Sequence, residues 1–430
     1  MRSGTGVILA APSSGAGKTT VTLALLRLLS RAGVAVRGAK SGPDYIDPRF
    51  HEAACGQVCV NLDAWAMSPA RLSSLAAGEG RLIVEGAMGL FDGAPPDGRG
   101  AVADVAKALR LPVVLVVDAG RMAQSVAPLV AGFAGFDAGV RVAGVILNNV
   151  GSARHAGMLR RALAPLGVPV VGVMPRRADL AMPSRHLGLV QAGERADLDA
   201  FLDLAADALA EGVPGDQPFD TEAFLALTEE MPPAQSARRI DPPAQRIAVA
   251  QDQAFAFAYP HLLADWRAVG AEILPFSPLE DDPVPQADFV YLPGGYPELH
   301  AGRISAAAKF IYSLKAHARM GPVYGECGGY MVLGEGLVDA EGNRHEMAGL
   351  LGLETSFFMR QLHLGYRQLQ ALGGPMQGTW AGHEFHYART MKAEGDPLFA
   401  AWDAEGTRLD DMGLRRGHVA GSFAHLIDRA

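Results

Sequence analysis

The chain is 430 residues long, 49% hydrophobic and 20% charged, with a formal net charge of −8. Such a length exceeds one ordinary core, so two domains of roughly 200 residues each are expected. An acidic balance without a basic run argues against nucleic acid as a partner, no apolar run approaches the roughly 18–20 residues that cross a bilayer, and Cys55, Cys59 and Cys327 are too few for a disulfide framework, so the expected address is the cytoplasm.

The apolar run Val7, Ile8 and Leu9 predicts a buried strand, and Val21, Leu25, Leu28 and Leu29 recur at helical spacing. Between them lies L-A-A-P-S-S-G-A-G-K-T-T, Leu9 to Thr20. Strand, glycine turn and helix together make a phosphate cradle: the glycines let backbone N–H groups point inward and the helix N-terminus adds partial positive charge. Pro12 stands where the first glycine of G-x-x-x-x-G-K-[ST] usually lies. Ser14, Gly15, Ala16, Gly17, Lys18, Thr19 and Thr20 are the expected ATP-binding set, with Lys18 on the outer phosphates and Thr19 on Mg²⁺.

To about residue 210, β-branched runs alternate with helical patterns, which predicts a parallel sheet covered on both faces. Predicted strands are Val34–Ala39, Leu82–Val84, Val113–Val117, Val142–Leu147 and Val170–Val173; predicted helices include Val102–Leu109, Ala123–Phe133 and Ala196–Leu209. Ligands gather at the carboxyl ends of such strands. K-S-G-P-D-Y-I-D-P follows the second strand, where Asp44 and Asp47 could order Mg²⁺ or sense an incoming substrate; Asp44 is the preferred metal ligand and Lys40, Tyr45 and Asp47 the expected substrate set, although Gly-Pro-Asp also suits a plain turn. Glu85 ends the next strand as a candidate Mg²⁺ partner, and Asn148 ends a later one as a candidate contact to the base. Arg176, Arg177, Arg185 and His186 form a cationic stretch suited to substrate carboxylates.

Residues 212–245 are interrupted by Gly212, Pro214, Gly215, Pro218, Pro232, Pro233, Pro242 and Pro243 and read as a linker with one short helix at Thr221–Glu230. This divides the chain into an ATP-binding domain, 1–211, and a second α/β domain, 246–430. The latter is predicted to carry strands at Ile247–Ala250, Phe289–Leu292 and Val323–Tyr324 and helices at Tyr259–Val269 and Ile304–Ala318. L-P-G-G-Y-P-E puts Gly294 and Gly295 at a strand end, where backbone N–H groups can stabilise an oxyanion, with Gly328 as a third member. Y-G-E-C-G-G-Y puts Cys327 on a tight strand-to-helix turn flanked by small residues, the steric logic of a nucleophile elbow. His345, His363, His383, His386, His418 and His425 are all available as its base, and spacing does not choose among them.

These residues resemble the cobyrinic acid a,c-diamide synthases, including the hydrogenobyrinic acid variants, across nearly the whole chain. The matching stretches are A-P-S-S-G-A-G-K-T-T, G-P-D-Y-I-D-P, E-G-A-M-G-L-F-D-G, S-R-H-L-G-L, L-P-G-G-Y-P-E, G-E-C-G-G-Y, G-H-E-F-H-Y and the terminal G-S-F-A-H-L. The resemblance implies an α/β fold that joins a P-loop domain similar to dethiobiotin synthetase to a class I, triad-type glutamine amidotransferase domain. It further implies that Cys327 attacks the glutamine amide and that His425 is its partner; Ile427 stands where most triad-type relatives carry a glutamate.

The implied reaction primes a corrin carboxylate as an acyl phosphate with ATP and Mg²⁺ and displaces the phosphate with shielded ammonia, twice, at the c and a acetates. The implied partners are a corrin macrocycle, L-glutamine and ATP, and a homodimer is compatible with the sequence. Cobyric acid synthase and sirohydrochlorin a,c-diamide synthase are the rival enzymes of the same class. A partition-type ATPase carrying a binding module is the rival from another class.

Overall fold

The computed structural model describes residues 4–182, 184–185 and 188–430, with Arg185 described by its backbone alone; His186 lies outside the described residues. The chain divides into two compact units between Arg238 and Arg239.

In the first unit β1 (Thr5–Ala10), β2 (Val36–Ser41), β3 (Val60–Leu62), β4 (Arg81–Glu85), β5 (Val113–Asp118), β6 (Val142–Val150) and β7 (Val170–Pro175) form one parallel sheet in the order β3-β2-β4-β1-β5-β6-β7. The central strands are nearly unbroken apolar runs because helices cover both faces: Val7, Ile8, Leu9, Val84 and Val114 to Val117 are fully buried. Helix α1 (Lys18–Arg31) buries Val21, Leu25 and Leu29 and is tied to helix Leu198–Glu211 by Arg27 to Asp203 at 2.8 Å and Arg31 to Asp207 at 2.8 Å. Helix α2 (Asp47–Cys55) follows β2. Two-residue strands β8 (Ser184–Arg185) and β9 (Gly188–Leu189) pair with each other.

The proline-rich stretch differs from the expected linker. Helix Thr221–Leu225 and strand β10 (Glu229–Glu230) belong to the first unit, β10 pairing antiparallel with β1 at Thr5 and Gly6. Phe224 is fully buried, and Val213 and Met231 nearly so. Phe224 packs against Phe219, their ring centroids 5.7 Å apart.

The second unit is built on a ten-stranded sheet. Strands β11 (Arg246–Ala250), β12 (Glu272–Phe276), β13 (Phe289–Leu292) and β14 (Val323–Glu326) pair in parallel. A small second sheet holds β15 (Gly336–Val338), β16 (Arg344–Glu346), β17 (Gly352–Ser356) and, after β18 (His363–Ala371) and β19 (Thr379–His386), β20 (Arg389–Glu394). β21 (Asp396–Trp402), β22 (Met412–Arg416), β23 (Val419–Ser422) and β24 (His425–Arg429) complete the large sheet, whose order is β12-β11-β13-β14-β23-β22-β21-β18-β19-β24. The helix expected over Ile304–Ala318 is two, Ala301–Ala306 and Ala308–Ala318, because Ala307 leaves the helical region at φ −75°, ψ 76°.

Candidate functional site

In the first unit the chain turns from β1 into α1 through Gly15 and Gly17, both left-handed at φ 79° and 85°. A Cβ on Gly17 would lie 2.1 Å from the Asn148 amide nitrogen, which donates to the Ala16 carbonyl at 2.9 Å. Asn148, expected on the base, thus spends its amide on holding the glycine turn. Ser14 is exposed and Thr20 half-buried. Lys18 is buried, its Nζ donating to the carbonyls of Met88 at 2.5 Å and Ser13 at 3.3 Å, and burial lowers its pKa.

Behind Lys18 lies a polar cluster. Glu85, fully buried at the end of β4, accepts from Thr19 Oγ1 at 2.6 Å and Lys40 Nζ at 2.7 Å on Oε1, and its Oε2 lies 2.6 Å from His51 Nε2. Asp47 Oδ2 accepts from the same Lys40 at 2.6 Å and lies 3.4 Å from Thr19 Oγ1. Burial alone would neutralise Lys40, but the Asp47 and Glu85 carboxylates outweigh it and hold the ammonium above its usual range. Burial likewise opposes the Glu85 charge, and Lys40 with His51 overcomes it, so Glu85 stays ionised. Asp47 is pushed up to about 7 by burial and by Asp44.

The set that converges is therefore Thr19, Asp47 and Glu85. Asp44, the expected ligand, instead turns its Oδ1 to the backbone N–H groups of Ile46 at 2.8 Å and Asp47 at 3.1 Å, ordering the entry to α2. The hard oxygens of Thr19, Asp47 and Glu85 suit Mg²⁺, with Lys40 balancing the buried charge. His51 escaped the sequence reading; its signal is the i, i+4 spacing from Asp47, which puts both on one face of α2. Tyr45 is buried beside this group in sequence. Exposed Arg177 pairs with Asp179 at 2.7 Å and exposed Arg176 donates to the Gly120 carbonyl at 2.6 Å, so both cations have local partners.

In the second unit Cys327 sits at φ 45°, ψ −104° between β14 and the helix Gly328–Leu333. That backbone is costly for a side-chain-bearing residue. It is held by the Cys327 N–H donating to Ser422 at 2.8 Å and by a packing that admits only glycine at 329, where a Cβ would lie 2.0 Å from the Leu292 carbonyl oxygen. Gly294 closes the site from β13: its Cβ would meet His425 Cε1 at 2.2 Å and Cys327 Cβ at 3.2 Å. A Cβ on Gly328 would lie 3.0 Å from the Gly295 nitrogen, so all three expected oxyanion glycines gather around the thiol.

Topology brings His425 there. Ser422 on β23 pairs in register with Glu326 on β14, and β24 begins with His425 only a short turn later. Burial pushes the Cys327 thiol up, with Glu298 adding to it, and pushes the His425 imidazole down to about 3, with His383 and His386 adding. Both groups therefore rest neutral near pH 7, an un-ionised thiol beside an unprotonated imidazole. Ile427 is buried, and its carbonyl lies 2.8 Å from His261 Nε2.

The other histidines divide among different tasks. His345 pairs with Asp339 at 2.8 Å and His418 is exposed. His363, Glu384 and His386 bring their ligand atoms within 4.8 Å of one another, a spacing that could suit a metal ion. Yet Glu384 spends one oxygen on His386 at 2.9 Å and the other on Arg367 at 2.7 and 3.0 Å, and the two imidazoles stack in near-parallel planes at 10°. A ridge braced by an arginine serves structure better than cation binding.

Comparison with known proteins adds three findings. Residues 7–190 match the family described as CobQ/CobB/MinD/ParA nucleotide binding domain, and residues 246–429 match the CobB/CobQ-like glutamine amidotransferase domain. A protein of Rhizobium meliloti named hydrogenobyrinate a,c-diamide synthase is 55% identical, covering 98% of this chain and 99% of its own. Proteins of the same name from Brucella anthropi and Rhodobacter capsulatus are each 52% identical over 98% of both chains.

Proposed function

Because the chain belongs to the hydrogenobyrinate a,c-diamide synthases, we propose that it converts the a and c acetate carboxylates of a corrin to carboxamides with ATP and glutamine, in cobalamin biosynthesis. The observation that carries this reading is the Cys327 turn with His425 and three glycines around it, in the same chain as a phosphate cradle backed by Thr19, Asp47 and Glu85.

A carboxylate resists attack because it is anionic and oxide is a poor leaving group. In the first unit the substrate carboxylate attacks the γ-phosphorus of ATP, ADP leaves, and an acyl phosphate forms. Lys18 and the N–H groups of the glycine turn stabilise charge on the phosphoryl oxygens. Thr19, Asp47 and Glu85 would hold Mg²⁺, which when bound draws charge from the same oxygens.

In the second unit Cys327 gives its proton to His425 and attacks the glutamine side-chain carbonyl; N–H groups near Gly294, Gly295 and Gly328 receive the oxyanion. The proton passes from His425 to the leaving nitrogen, ammonia departs, and water clears the thioester. Ammonia then displaces phosphate from the primed carboxylate. It must travel shielded from water, since free ammonia is mostly protonated near neutral pH. The enzyme is read as cytoplasmic; among the described residues no helix is long and apolar enough to cross a membrane.

Cys327→Ser tests the division of labour. The variant is expected to lose amidation driven by glutamine and to keep amidation driven by added ammonium, with product mass counting the carboxamides. Full glutamine-driven turnover in Cys327→Ser would contradict the reading.

A further inference from the structure

Ile427 offers no carboxylate where a third triad member is expected, yet a base that must carry a proton in a dry site needs an opposite charge near it. Glu326, immediately before the nucleophile, lies there. It is 1% exposed, and its Oε2 is 3.7 Å from His425 Nδ1, whereas the ring atoms nearest Gly294 are Cε1 and Nε2. Its carboxylate is itself fixed: Tyr291 Oη donates at 2.7 Å to Oε2, and the Leu426 N–H, next in chain to the histidine, donates at 3.2 Å to Oε1.

We propose that Glu326 is the positioning carboxylate of the glutaminase pair, taking the part left vacant at Ile427. The inference rests on the amidotransferase reading above. When the Cys327 proton moves to His425 Nε2, the imidazolium that forms faces the Glu326 carboxylate across Nδ1–H. At 3.7 Å the resting contact is longer than a hydrogen bond, as catalytic contacts in unliganded enzymes commonly are. The main chain of Phe257 also bonds His425, so ring position has two supports, but only Glu326 brings charge.

The site explains why a glutamate can survive in the core beside a thiol. Among the described residues, the titratable groups that bond or interact with it are Tyr291 and Tyr324, stacked at 6.1 Å, His425 and Cys327, and none is a fixed cation. Burial raises its pKa to about 7, with Tyr291 and Leu426 pulling the other way. Glutamine hydrolysis is therefore expected to rise with pH through a step near neutrality that belongs to this carboxyl.

Glu326→Gln in the full-length enzyme tests this, with Cys327→Ser and ammonium-driven amidation measured alongside. The expected result is a fall of about 10²-fold in kcat with glutamine, smaller than the about 10⁴-fold known for losing an orienting aspartate because Phe257 still holds the ring. KM for glutamine and ammonium-driven turnover stay near wild type, and the neutral pH step disappears. Wild-type kcat and pH profile in Glu326→Gln, while Cys327→Ser is dead with glutamine, would overturn the inference and leave the function standing. Should Glu326→Gln lose ammonium-driven turnover as well, the comparison passes to Glu326→Asp, which keeps the charge but draws it back. An intermediate glutamine-driven kcat there supports the proposal, and wild-type behaviour overturns it.

Discussion

Single residues in this protein are placed to hold charge in dry surroundings. Lys40 between Asp47 and Glu85 lets two carboxylates stay buried beside a phosphate cradle, and His51 fixes the outer oxygen of Glu85 so that the inner one faces Thr19. Glu326 lacks such a cation, and its stability effect has a definite sign. Its folded pKa, about 7, stands above the ordinary 4.5, so the folded chain binds this proton more tightly than the unfolded chain. The stabilisation is complete below about pH 4.5 and is lost as pH rises through about 7, a swing on the order of 3 kcal/mol for a raised carboxyl of this size. Urea unfolding of wild type and Glu326→Gln at pH 5 and pH 8 should show the variant gaining relative stability at the higher pH. A difference that does not change with pH would mean that Glu326 titrates normally.

Among the elements, β13, β14, β23 and β24 decide the glutaminase site, because each brings one part of it to the same point. Gly294→Ala is expected to drive a methyl group into the His425 ring, lowering glutamine-driven kcat by at least about 10²-fold, the usual cost of misplacing a catalytic group by about 1 Å, while ammonium-driven amidation persists. Steady-state assays with the two nitrogen donors check this.

The central parallel strands of both units were legible in sequence because double burial makes them apolar runs such as Val113–Val117, whereas the edge strands β3 and β12, one only three residues long and the other partly exposed, were not. Nor were the antiparallel strands. β20 reads R-T-M-K-A-E with most of its residues exposed, and β18 lacks a clean alternation, so only long-range pairing defines them. Cys327, Lys18, Thr19 and Glu85 stood out by motif, whereas Asp47, His51 and Glu326 depend on which acid the folded chain turns inward. That choice is set by the Asp44 turn, whose Gly-Pro-Asp is visible in the sequence without showing which acid it turns inward, and by the β14–β23 register, which has no local signature.

At the scale of the molecule, two units run separate chemistries that a single chain keeps in equal supply. Residues 212–238 complete the first of them and do more than connect. A fragment ending at Arg238 is expected to fold, whereas one ending at Glu211 loses Phe224, Met231 and β10. Removing a buried phenylalanine alone costs about 3–5 kcal/mol, so the shorter fragment should unfold at distinctly lower urea. Equal midpoints for the two fragments would return this stretch to the status of a linker.

Coupling between the units is best followed through the nitrogen atom itself. Wild-type enzyme and Cys327→Ser are each incubated with ATP, hydrogenobyrinic acid and glutamine carrying heavy nitrogen in its side-chain amide, and the corrin product is weighed by mass spectrometry. The account predicts heavy nitrogen in both new carboxamides with wild type and none with Cys327→Ser. Unlabelled carboxamides from wild type, or labelled ones from the variant, would contradict it.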